Sequence, residues 1–185
     1  MTIARNRRNA AVVEAALKTL KGDYLKQMFD DYVLFCGTVE SEHREIEEYQ
    51  VVYKVDDDAV SIYMPFPRMT DAAHYLNVVD FLNRIYGWDL KRRPFVEPDT
   101  FEVVEWVFAD VEDFGKGFKD WLGKYVGPTI VFYERYAPGL LAVMEDRMSA
   151  EEASRMCTAD LQSMIPTGPD SGVVGSRWVH FPRPR

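Results

Sequence analysis

From Ala11 onward the apolar residues Val13, Ala16, Leu17, Leu20, Tyr24, Met28 and Phe29 recur at three- and four-residue intervals, as on one face of an amphipathic helix. This spacing predicts a helix from about Asn9 to Phe29, with Gly22 offering a break and Asp23 available to cap a second short turn. Asp31 to Val39 reads as extended, and the charged run that follows it, through Glu48, reads as a loop or a fraying strand end. The period then changes to two. Tyr49, Val51, Tyr53 and Val55 alternate with polar residues, and beyond the Asp56-Asp57-Asp58 turn so do Val60, Ile62, Met64 and Phe66, which predicts a β-hairpin. Pro65 and Pro67 lack an N–H and mark the end of that strand or an exposed edge.

Tyr75, Val78, Val79, Leu82, Ile85 and Tyr86 restore the helical period between a Thr70 N-cap and Gly87, a C-terminal stop. A second hairpin is predicted from Arg93–Glu97 and Phe101–Ala109 about Pro98-Asp99, the longer strand carrying Val103 and Val107 on one face and Val104, Trp106 and Phe108 on the other. From Phe114 to Met144 the pattern is helical, with breaks or kinks expected at Gly127-Pro128 and Pro138-Gly139. Ser149 and Glu152 form a capping box for a last helix to about Met164. The predicted fold is α+β: an antiparallel sheet of two hairpins plus an extended segment, with helices packed mainly on one face. Residues 1–165 are read as a single domain and 166–185, rich in proline and glycine, as an extended or flexible C-terminal tail.

Segment 49–144 resembles the bacterial YbjN family. The resemblance is carried by the paired strands YQVVYKVDDDAVSIYMPFP, the helix DAAHYLNVVDFLNRIYGWDL, the Phe95 strand with FEVVEWVF, and the closing YERYAPGLLAVM. It implies the type III secretion chaperone-like fold and a role in holding other proteins. This chain departs from that pattern at Pro98-Asp99-Thr100, where relatives usually place an Asp-Gly turn, and in the tail after Pro166.

Composition narrows the chemistry. In 185 residues, 47% hydrophobic and 28% charged, there is enough apolar material for a core without metal or disulfide support. Cys36 and Cys157 are isolated and lack any zinc-ligand spacing, so reduced thiols are expected. The formal net charge of -8 repels phosphate backbones. Nucleic acid is therefore an unfavoured partner, although Arg5, Arg7 and Arg8 at one end and Arg177, Arg183 and Arg185 at the other are basic. Glu14 and Lys18 interrupt the first apolar stretch too early for a signal peptide, and no stretch is apolar enough for a membrane span, so a cytoplasmic protein is expected.

No nucleophile elbow or phosphate loop is present; Gly115-Lys116-Gly117 lacks the following Ser/Thr. Asp56-Asp57-Asp58 does not open a calcium loop, because Ser61 and Pro67 stand where glycine and a bidentate Glu are needed. The candidate for metal or acid–base chemistry is Glu40, Glu42, His43, Glu45, Glu47 and Glu48, and a metal-dependent enzyme using residues 40–48 is the alternative function. His74 reads as a surface residue, and His180 has no partner nearby in sequence. The reading preferred is a non-enzymatic protein-binding module without a cofactor, which holds a protein partner or forms a homodimer. Its contact residues are Trp106 and Phe108, since a strand apolar on both faces needs cover on both.

Overall fold

A computed structural model describes residues 2–20, 23–57, 59–86 and 92–162, and for 2–5, 118–119 and 160–162 the backbone only. The tail expected over 166–185 and the Gly87 helix stop lie outside the described residues. The elements run α1 (Thr2–Lys18), β1 (Tyr24–Met28), β2 (Val33–Glu40), β3 (Glu48–Val55), β4 (Val60–Met69), α2 (Tyr75–Ile85), β5 (Phe95–Val96) and β6 (Glu102–Ala109). After them come α3 (Val111–Gly115), α4 (Phe118–Trp121), a π-helical turn (Leu122–Val126), α5 (Gly127–Met144) and α6 (Ala150–Gln162). The protein is α+β. Its described strands form one six-stranded antiparallel sheet in the order β1-β2-β3-β4-β6-β5.

The helices cover one face. Val33 and Phe35 of β2, Tyr49, Val51, Tyr53 and Val55 of β3, and Val60, Ile62, Met64 and Phe66 of β4 are all buried beneath them. Trp121, Phe132, Tyr133 and Tyr136 fill the space from the helical side. Tyr53 meets Trp121 edge-on at 5.9 Å, and Tyr49 stacks on Tyr133 at 5.7 Å. These ring pairs belong to the core, each adding to its own burial a directional contact. At the hairpin turn Ala59 N–H donates to Asp56 Oδ1 (2.9 Å), and the Asn9 amide donates to the Asp56 and Asp57 carbonyls (both 3.1 Å), which ties α1 to the sheet end.

Several expectations need correction. The N-terminal helix ends at Lys18, and Tyr24–Met28, expected to be helical, is an edge strand paired with β2 from Tyr24↔Gly37 to Met28↔Val33. A strand one residue wide on its buried side cannot be told from one helix turn by apolar spacing alone, and pairing to β2 decided it. Thr70 does not cap α2: it is buried and its N–H donates to the Phe101 carbonyl (3.0 Å), while Asp71 Oδ1 accepts the His74 N–H (2.9 Å) at the turn before the helix.

The prolines of β4 do not end it. The strand continues to Met69, but its pairing with β3 stops at Val52↔Tyr63, as expected where Pro65 and Pro67 remove donors. The break expected at Gly127-Pro128 is a widened turn, in which Gly127 N–H donates to the Leu122 carbonyl just before Pro128 opens α5. Pro138 lies within α5 without ending it. Gly139 serves packing: a Cβ there would lie 2.7 Å from both the Phe81 ring and Cys157 Sγ. The second hairpin is shorter than expected, with only Phe95–Val96 pairing to β6, and Phe101 takes a left-handed φ of 58° at its turn. The Ser149/Glu152 box forms as expected, Ser149 N–H to Glu152 Oε2 at 3.0 Å and Glu152 N–H to Ser149 Oγ at 3.3 Å.

Candidate protein-binding surface

Residues directly opposite one another in a sheet share a face, so the register defines what lies on the side away from the helices. One row crosses five strands: Leu25, Cys36, Val52, Tyr63 and Trp106. The next row runs Gln27, Leu34, Lys54, Ser61 and Phe108. Leu25 is 77% exposed, Trp106 50% and Phe108 70%, while Cys36, Val52 and Tyr63 are half-buried by their neighbours. Ser61 is buried within the second row, so the exposed part of this face is Leu25 at one edge and the Trp106–Phe108 pair near the other. Trp106 and Phe108, two residues apart on β6, stack at 6.4 Å with their planes 12° apart, and Tyr63 meets Trp106 edge-on at 6.0 Å. Trp106 and Phe108 thus form a near-parallel pair of rings, a platform with Tyr63 set edge-on beside it.

The platform is anchored beneath and beside. Val104, on the same phase of β6, is fully buried outside the main core, opposite Pro65 on one side and Phe95 on the other. Tyr63 donates its hydroxyl to Glu102 Oε2 (2.8 Å), which also accepts from Thr100 Oγ1 (3.1 Å). Burial, reinforced by the Glu102 charge, pushes the Tyr63 phenol well above its ordinary value, so it stays a neutral donor.

One end of the face is acidic. Glu40 and Glu48 lie directly opposite across β2 and β3, a like-charge pair that destabilises the sheet locally, and Glu102 opens β6 at the same end. Where β3 and β4 part company above Val52–Tyr63 there is a notch of about 350 Å3, floored by Pro65, Phe66 and Met69 and walled by Glu48 and Glu102. Lys54 stands at the opposite end, its Nζ 4.9 Å from the Tyr32 ring centroid.

No protein-family model, curated protein or solved structure matches the chain.

Both sequence-derived contact residues, Trp106 and Phe108, thus lie side by side on the outer face. The remainder of the row was not singled out from sequence. Its signal was present in the second phase of each strand, Val52 between Val51 and Tyr53 and Tyr63 between Ile62 and Met64, but Leu25 was hidden in the expected helix.

The 40–48 segment has a structural arrangement. Glu134 of α5 accepts from Ser41 Oγ (2.6 Å) and the Glu42 N–H (2.9 Å), Ser41 Oγ accepts the His43 N–H (2.9 Å), and Ile46 is buried as the loop's anchor. Glu45 reaches Arg147 at 3.9 Å. Among the described residues no group of three or more His, Cys, Asp or Glu side chains is placed to hold a metal ion. Lys116 of the Gly-Lys-Gly segment is bound to Asp113 (2.7 Å), and His74 Nδ1 lies 2.7 Å from Asp71 Oδ1. Arg7 and Arg8 are exposed on α1; Arg177, Arg183, Arg185 and His180 lie outside the described residues. Among the described residues no helix is long and apolar enough to cross a membrane.

Two further polar clusters sit on the covered side. Glu105, opposite Met64, is buried beside Arg92 (3.4 Å), whose other nitrogen donates to the Lys124 carbonyl (2.8 Å); burial raises the Glu105 carboxyl above its ordinary range against the pull of Arg92. Asp113 accepts from Lys116, Lys124 and the Tyr125 hydroxyl, which hold its carboxyl well below the ordinary range. The first ties the π-helical turn to β6 through Arg92, and the second ties α3 to the π-helical turn. Lys116 of the second also lines a surface cleft of about 900 Å3 with Arg8, Asn9, Asp57, Asp110 and Glu112.

Proposed function

We propose that the protein is a non-enzymatic protein-binding module and that the outer sheet face is its contact surface. The observation that carries this reading is the Tyr63–Trp106–Phe108 cluster: Trp106 and Phe108 stacked and facing solvent at the end of an apolar row, with the half-buried Tyr63 edge-on against Trp106. Exposed aromatic clusters held rigid by their scaffold lose little entropy on binding and supply the anchors on which protein interfaces depend. The resemblance to the YbjN family and its secretion-chaperone-like fold, in a cytoplasmic setting, belongs to the same proposal. The geometry of residues 40–48 gives the metal-enzyme alternative no added support, since the loop's contacts go to Glu134 and Arg147.

Cys36 provides the test, because it lies in the apolar row three strands from Trp106 and reports cover on the face without touching the rings. In Trp106→Ala and Phe108→Ala the thermal melt should remain cooperative while alkylation of Cys36, followed by peptide mass, speeds up several-fold as the held polypeptide is lost. If both variants unfold, the rings belong to the fold. If Cys36 reacts at one rate in all three proteins, nothing was held there and the reading is wrong.

A further inference from the structure

The outer face combines an apolar row with one acidic end, and that combination selects its occupant. Resting on the protein-binding reading above, we infer that the polypeptide seated on this face is the chain's own C-terminal segment Val173–Arg185. It crosses the Trp106–Phe108 platform with its arginines toward Glu40, Glu48 and Glu102. The segment reads VVGSRWVHFPRPR. Trp178, Val179 and Phe181 supply apolar and aromatic contact, and Arg177, Arg183 and Arg185 supply charge with no acidic residue after Asp170. Arginine suits both parts of the surface, since its guanidinium pairs with carboxylates through two parallel bonds and stacks on aromatic rings.

Charge argues for this segment over a second copy of the body. Residues 163–185 contain three arginines and one aspartate, whereas residues 1–162 contain 19 basic and 29 acidic residues. Two bodies meeting with like ends together would bring two acidic rims into contact, and the opposite pairing sets Lys54 of one against the rim of the other, while the segment brings three arginines to the opposed Glu40–Glu48 pair. Length permits it. The 14 residues between Gln162, the end of α6, and Arg177 reach about 46 Å when extended, well beyond the roughly 20 Å that two packed layers occupy. Tethering places the segment at an effective concentration of about 1 mM or above, so an external partner binds by displacing it. A partner that competes for this face is itself an extended, basic and aromatic segment.

Trp178→Ser/Phe181→Ser in the full chain, with Cys36 alkylation as the readout, tests the inference. Cys36 should react several-fold faster than in the parent, matching Trp106→Ala, and at a rate independent of protein concentration. Arg177→Glu should release Cys36 in the same direction, and adding Glu48→Lys should restore protection. Protection that persists in Trp178→Ser/Phe181→Ser and fades on dilution assigns the face to a second copy, which overturns this inference and leaves the protein-binding reading standing. Protection that persists without fading on dilution also overturns it. A Cys36 that reacts equally fast in the parent, in Trp106→Ala and in the tail variant overturns both.

Discussion

The two faces of the central sheet are built from the same strands, residue by residue in alternation, yet they end in different states. Phe35 of β2 is fully buried beneath the helices with Tyr24 edge-on at 5.8 Å, whereas Phe108 of β6 stands 70% exposed with Trp106 stacked on it. Both are phenylalanines on strands of one sheet, with aromatic neighbours. What separates them is the presence of helices on one side only, so apolar content identifies surfaces that require cover but does not say which element supplies it. The covered face draws its cover from helices within the described chain. The outer face does not.

The contrast can be broken most forcefully on the covered side. Phe35→Ala should cost about 3–5 kcal/mol, seen as a large fall in the denaturant midpoint, because it removes a buried ring and leaves a void that the sheet cannot close. A loss as small as that of Phe108→Ala would show that the two faces do not differ as described. Gly139→Val comes next, at about 1–3 kcal/mol, because its side chain must displace the Phe81 ring and Cys157, each only 2.7 Å from the Cβ position. Thermal melts of the variant check it; an unchanged midpoint would mean that α5 stands farther from α2 and α6 than it does here.

Acid dependence gives a third measure of the covered side. The folded Asp113 carboxyl titrates below its ordinary value of 3.8, so its contribution to stability is fully present above that pH and is lost as the pH falls through the folded value. Asp113→Asn should therefore melt below the parent at pH 7, and the gap should narrow below about pH 4. A gap constant from pH 7 to pH 3 would show that the lysine contacts do not hold the carboxyl ionised. Smallest is Phe108→Ala, whose effect on folding should stay within about 0.5 kcal/mol, as befits an exposed side chain away from caps and turns.

The sequence made much of this legible, and the reasons for the rest are local. Alternation in 49–66 and 101–109 identified the central strands because each is long enough to show its period, and the 75–86 helix showed its stripe for the same reason. β1 escaped because its five residues sit at an edge, with four exposed and too few buried to impose a period. Pro138 suggested a break that α5 does not make, since a helix held by its neighbours on α2 and α6 tolerates one missing donor. Trp106 and Phe108 were legible as a surface because β6 is apolar on both phases. The acidic notch was not: Glu40, Glu48 and Glu102 are distant in sequence, and only strand pairing gathers them.

Whether the outer face holds polypeptide in solution is read by hydroxyl-radical footprinting of the full chain. Leu76, 74% exposed on α2, serves as the solvent-facing reference for Trp106 and Phe108. After correction for the intrinsic reactivity of each side chain, Trp106 and Phe108 should be oxidised several-fold more slowly than their exposures of 50% and 70% imply relative to Leu76. Oxidation of both rings at the rates those exposures imply, at every protein concentration tried, would contradict it.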